Sequence, residues 1–158
     1  MRFIGMDIGE RFPDYVLTDD EGKEFDSKAM AGRRYVLYFY PKDNTGGCTT
    51  EAKEFTAALP AFEGMGMTVI GVSRDSTKSH QNFKEKQGLG IKLLTDPDHA
   101  LMEKVGVWGL KTNYGKTFEG VKRSTFIIGA DGNVEAAWIN VKVAGHVAKV
   151  LDKAKSLQ

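Results

Sequence analysis

Six consecutive residues, Tyr35-Val36-Leu37-Tyr38-Phe39-Tyr40, run without a polar interruption. A strand with one wet face alternates polar and apolar positions, whereas an unbroken β-prone run is the pattern of a strand covered on both faces. Covering both faces takes further layers, so this run favours a sheet sandwiched by helices over a bundle or a one-sided sheet. Pro41 stops it and a polar loop, Lys42 to Gly47, follows. From Thr49 the apolar period changes, with Ala52, Phe55, Leu59 and Phe62 at helical spacing. Glu51 is placed in the first turn of that helix, where the helix dipole favours an anion. Pro60 is expected to end or kink the helix near Leu59.

The rest of the chain repeats the alternation. Phe12 to Leu17 reads as a short edge strand closed by the turn Asp19-Asp20-Glu21-Gly22. Met67 to Val72 reads as a second buried strand, Ser76 to Gln87 as an exposed helix with a thin apolar face, and Leu93-Leu94 as a short strand. Asp96-Pro97-Asp98 supplies caps for a helix through Leu101 and Met102 to Val105. Ser124 to Ile128 and Val134 to Trp138 flank Asp131-Gly132, a hairpin signal. Val143, Val147, Val150, Leu151, Ala154 and Leu157 line one face of a closing helix, opposite Lys149, Asp152, Lys153 and Lys155. This order predicts an α/β protein with a mixed central sheet flanked by helices. With 158 residues and no repeat or long linker, a single domain over 1–158 is expected.

Charge and composition narrow the function classes. Lys and Arg number 22 against 21 Asp and Glu, a formal charge of +1, which removes the electrostatic case for nucleic acid or an anionic membrane as the main partner. No apolar run approaches the ~20 residues of a membrane span. Met1 to Asp7 lacks a leader-like apolar run, and together with a free thiol this points to a reducing cytoplasm. His80, His99 and His146 show no ligand-like spacing, so no metal site is expected. Arg33-Arg34 are too few for a nucleic-acid patch, and Trp108 and Trp138 read as packing residues.

The chain holds one cysteine, Cys48, so it can form no intramolecular disulfide and no four-cysteine zinc site. Alone, such a cysteine reads as a small buried hydrophobe. Its position suits a nucleophile, because it lies where a buried strand, a glycine-bearing loop and a helix start meet. A helix N-terminus or a nearby cation favours the thiolate, and unpaired first-turn N–H groups bind an anionic oxygen. Gly46 and Gly47 permit the tight turn that aims such donors at one point. Three other residues have bland readings of their own: Thr45 as a helix N-terminal hydroxyl, Pro41 as a strand terminator, Arg123 as a solvated edge charge.

Pro41, Thr45 and Cys48, in the order Pro-x-x-x-Thr-x-x-Cys after an apolar strand, resemble the active-site motif of the peroxiredoxins. Tyr38 to Asp43 and Gly47 to Ala52 are similar to the subgroup of bacterioferritin-comigratory protein, or PrxQ. Further similarity lies in Gly71 to Ser76, Tyr114-Gly115-Lys116, Arg123 to Phe126 and Lys142 to His146. The resemblance implies a thioredoxin-like fold and thiol-dependent reduction of hydrogen peroxide and organic hydroperoxides, with no bound cofactor or metal. It implies Cys48 as peroxidatic nucleophile and Thr45 as the hydroxyl that aligns peroxide, with Gly47 beside them in the substrate site. Pro41 would be the shield of the loop and Arg123 the cation for the thiolate. Glu51 would be the carboxylate that orients the arginine. It also implies a monomer.

Members of the subgroup often carry a resolving cysteine five residues after the first, or in the following helix. Here those places hold lysines, Lys53 and Lys84. Recycling therefore requires an external thiol such as thioredoxin or glutaredoxin. The alternative in a different class is a non-catalytic redox sensor or binding module of the same fold, in which oxidised Cys48 persists.

Overall fold

The computed structural model describes residues 6–158, so the Met1–Gly5 stretch of the leader argument lies outside it. In chain order the elements are β1 Val16–Asp19, β2 Glu24–Asp26, a 3-10 turn Ser27–Met30, β3 Tyr35–Phe39 and α1 Gly46–Gly64. They continue with β4 Thr68–Ser73, α2 Thr77–Gln87, β5 Lys92–Thr95, α3 Ala100–Lys104, β6 Trp108–Asn113 and β7 Lys116–Val121. The chain closes with β8 Ser124–Ile128, β9 Val134–Ile139 and α4 His146–Ser156.

β3 occupies the interior of a seven-stranded sheet of order β2-β1-β5-β4-β3-β8-β9. It runs parallel to β4 and antiparallel to β8, so the sheet is mixed, as the segment order predicted. All five β3 residues are buried, and their alternation feeds two cores. Val36, Tyr38 and Tyr40 pack with Cys48, Ala52, Phe55 and Phe62 of α1, Phe83 of α2, and Val147, Val150 and Ala154 of α4. Tyr35, Leu37 and Phe39 join Phe12, Ile70, Val72, Leu101, Met102 and Phe126 on the opposite face. The continuous apolar run is thus the shared wall of both cores.

Several boundaries differ from expectation. The first strand starts at Val16, not Phe12. Pro13 cannot donate to a ladder, and Phe12 is instead buried, its N–H donating to the Gly132 carbonyl at 3.0 Å. α1 begins at Gly46, three residues before Thr49, and continues past Pro60 to Gly64. An interior proline costs about 3 kcal/mol, but Pro60 faces solvent and the following turn carries Phe62 into the core beside Phe55. α4 starts at His146, leaving Val143 outside it. β6 and β7 form a separate two-stranded ribbon that the apolar period did not announce. Its turn, Tyr114-Gly115, places both residues at positive φ, 52° and 77°, as a tight hairpin requires.

Candidate active site

The site grows from the C-terminal end of β3. Leaving the strand, the chain enters a loop in which Asn44 takes φ of 60°, and Thr45 is extended as the N-cap residue of α1. Cys48 is therefore the third residue of the helix. The N–H groups of the first turn have no helical partner there and face the helix mouth. Glu51, expected in the first turn, sits one turn deeper because the helix starts earlier. At i and i+3, Cys48 and Glu51 share a helix face, and that face is turned inward: Cys48 is 1% exposed and Glu51 0%.

Arg123 arrives from β8. The register that sets Ser124 opposite Phe39 brings the preceding arginine to the start of α1, 75 residues away in sequence. Its guanidinium forks: Nη2 donates to Cys48 Sγ at 3.3 Å and Nη1 to Glu51 Oε1 at 2.6 Å. Gly47 makes room for it, since a Cβ there would stand 3.2 Å from Arg123 Nη2 and 3.5 Å from Val143 Cγ2. Burial lowers the pKa of Arg123, but the facing Glu51 and Cys48 outweigh it and hold the cation above its ordinary range. Burial pushes Glu51 up to about 7 against the pull of Arg123. Its second oxygen, Oε2, is buried without a hydrogen-bond partner.

Four of the anticipated residues are brought together: Cys48, Arg123, Glu51 and Gly47. The solvated-edge reading of Arg123 fails, because its side chain is 14% exposed. Thr45 does stand at the helix N-terminus, as the N-cap residue, but its Oγ1 donates to the Lys42 carbonyl at 2.8 Å and caps no N–H. Pro41 is half-buried and follows the end of β3 by two residues.

Three neighbours escaped the sequence reasoning. Lys111 on β6 donates from Nζ to the Val121 carbonyl at 2.8 Å. Burial and the Arg123 charge lower its pKa, while Cys48 raises it. His146 is buried, with Nε2 2.7 Å from Thr125 Oγ1. Tyr38 lies fully buried beneath the site, its hydroxyl unpartnered and its pKa driven well above the ordinary value by burial, then by Glu51 and Cys48.

Behind the loop lies a second buried polar cluster. Asp43 accepts from Tyr40 Oη at 2.6 Å and from Ser79 Oγ at 2.8 Å, with His80 Nδ1 also 2.8 Å away. Its own N–H donates to Asp75 Oδ2 at 2.9 Å, and His80 Nε2 lies 3.0 Å from the Leu94 carbonyl. The available signal was His80 beside Phe83 as the two buried residues of an otherwise polar helix. Among the described residues no group of three His, Cys, Asp or Glu side chains is arranged to hold a metal, and no helix is long and apolar enough to cross a membrane.

The chain belongs to the AhpC/TSA family, whose model matches residues 8–137. Peroxiredoxin Bcp of Bacillus subtilis is 43% identical over 152 residues, covering 96% of this chain and 97% of its own. Peroxiredoxin Bcp of Xanthomonas campestris is 47% identical over 143 residues, covering 90% and 89%. Among solved structures, a cysteine-to-serine mutant of Xylella fastidiosa PrxQ matches with a TM-score of 0.90 at 41% identity, covering 96% of each chain. A structure of Xanthomonas campestris bacterioferritin comigratory protein, studied for alkyl peroxide reduction, matches at 0.88 and 44% identity, covering 95% and 98%. The fold is therefore thioredoxin-like, and the protein is a peroxiredoxin of the Bcp (PrxQ) type, a thiol-dependent peroxidase without a resolving cysteine.

Proposed function

We propose that Cys48 is the peroxidatic nucleophile and that the protein reduces hydrogen peroxide and organic hydroperoxides by a one-cysteine cycle. The observation that carries this reading is the Arg123 fork, which sets a fixed cation 3.3 Å from the single thiol. The Cys48 thiolate attacks one peroxide oxygen; an S–O bond forms, the O–O bond breaks, and Cys48 becomes a sulfenic acid as water or alcohol leaves. Arg123 and the first-turn N–H groups stabilise charge moving onto the leaving oxygen. Thr45 aligns the bound peroxide once its hydroxyl turns from the Lys42 carbonyl. Gly47 leaves space for the substrate, Pro41 screens the thiol from the loop side, and Glu51 orients Arg123.

An external thiol then condenses with the sulfenic acid, releasing water and leaving a mixed disulfide. A second thiol reduces that bond and restores Cys48. Thioredoxin or glutaredoxin is the reductant in this scheme, and the chain acts as a cytoplasmic monomer built as a single domain over 1–158. Support comes from the continuity of the seven-stranded sheet and from a free thiol that a reducing compartment preserves.

Peroxide consumption with excess thiol donor tests the cycle. Wild type is expected to turn over many times and Cys48→Ser not at all. Equal consumption by the two proteins refutes the assignment. A single stoichiometric oxidation in wild type favours the redox-sensor alternative instead.

A further inference from the structure

Glu51 is the buried acid of the site whose second oxygen the scheme leaves idle. Oε1 receives Arg123 Nη1, whereas Oε2 has no hydrogen-bond partner and stands 4.0 Å from His146 Nε2. The charged and titratable groups of the site come from every packed element. Arg123 before β8, Glu54 on α1, Tyr38 on β3 and His146 on α4 face Glu51 itself, while Lys111 on β6 faces Arg123 and Cys48, and Lys149 on α4 faces His146. Burial, with help from Arg123 and Lys149, drives His146 down to about 4, so its imidazole is neutral at neutral pH. The Tyr38 hydroxyl is likewise neutral. Among the described residues this leaves Arg123 as the cation in direct contact with both acids, Cys48 on one arm and Glu51 on the other.

One largely covered positive charge, Arg123, balances one negative charge. Ionising both acids leaves an uncompensated charge in a site screened from water, which is the condition under which two acids titrate as a pair. We propose that Cys48 and Glu51 share one proton across Arg123: while Cys48 is the thiolate Glu51 holds the proton, and Glu51 releases it when Cys48 is oxidised. This rests on Cys48 being the peroxidatic thiolate proposed above. The step balances. The thiolate, the protonated Glu51 and the hydroperoxide become sulfenic acid, ionised Glu51 and alcohol or water. Sulfur supplies the two electrons that break the O–O bond, and the proton count gained by the leaving oxygen equals that lost by Glu51. Glu51 is thus a positioning residue for Arg123 that also stores charge, with no need to touch the leaving oxygen itself.

Infrared difference spectra of the reduced and peroxide-oxidised protein at neutral pH read the stored proton. A protonated-carboxyl band is expected to vanish on oxidation of Cys48, and to be missing throughout from Glu51→Gln. The ultraviolet thiolate absorbance is expected to rise in two steps with pH in wild type, and in one step at lower pH in Glu51→Gln. Cys48→Ser decides the matter should Glu51→Gln fold poorly: its carboxyl band is expected to disappear at lower pH than in reduced wild type and to ignore peroxide. A carboxyl band unmoved while mass spectrometry shows Cys48 oxidised overturns the shared proton. So does one identical thiolate step in wild type and Glu51→Gln. Peroxide that leaves Cys48 unoxidised overturns the peroxidatic assignment itself, and the mass spectrum distinguishes that failure from the other two.

Discussion

Two buried polar clusters flank the end of β3, divided by Tyr38 and Tyr40, whose rings lie 5.5 Å apart. Around Asp43 both carboxylate oxygens meet partners on the loop or α2. Around Glu51 one oxygen meets Arg123, the other has no hydrogen-bond partner, and Tyr38 Oη is also unpartnered. Saturated buried networks rigidify what they join, while a half-satisfied one keeps its free energy available for a change of charge state. The Asp43 cluster anchors the loop; the Glu51 cluster surrounds the thiol that must gain and lose charge.

The largest expected effect tests the reactive cluster. Arg123→Ala should lower kcat/KM for hydrogen peroxide by about 10²–10³, the usual worth of one preorganised donor at developing charge. It should also reduce thiolate absorbance at neutral pH. Unchanged rate and absorbance would remove Arg123 from the site.

Matched amide substitutions separate the clusters next. Asp43→Asn puts an amide NH₂ against groups that now donate to a carboxylate, and should cost about 1–3 kcal/mol, or roughly 2–12 °C in thermal midpoint. Glu51→Gln keeps an oxygen for Arg123 and removes a carboxyl whose charged form burial disfavours, so it should leave stability at neutral pH unchanged or raised. Equal destabilisation by the two substitutions would erase the distinction between anchor and site.

The last test is a slope. Glu51 binds a proton when folded that it lacks when unfolded between its ordinary value of 4.5 and about 7. Its stabilising contribution is therefore complete below 4.5 and lost as pH rises through about 7. His146 behaves oppositely: its contribution is complete above 6.5 and lost as pH falls through about 4. Across the shared window the two slopes oppose one another. Glu51→Gln should leave the His146 slope alone, so that its thermal midpoint declines more steeply than that of wild type between pH 6.5 and 4. Parallel profiles would show that the Glu51 carboxyl does not titrate there.

Much of the fold was legible because its signals are local. The β3 run, the capped α2, whose Ser76 side chain accepts from the Ser79 N–H, and the Asp131-Gly132 hairpin each follow from a few adjacent residues. Errors arose where a tertiary contact outweighed a local rule, as when Phe62 carried α1 through Pro60 and glycines spaced along β6 and β7 hid a ribbon without a buried face. In the site, the motif around Cys48 was readable, and Arg123 and Glu51 were reached through the family resemblance. Lys111, the site contacts of Tyr38 and His146, and the Asp43–His80 pairing were not, since each joins segments far apart in the chain.

The sequence by itself determined that an apolar strand ends at a glycine-bearing turn and delivers one thiol to a helix start, and that no second cysteine can close the cycle. Strand pairing and helix packing decided the rest. They set Arg123 between Cys48 and Glu51 and left Oε2 without a partner. Which charges a thiol faces depends on distances of a few ångströms between segments far apart in the chain, and only the packed sheet sets those distances.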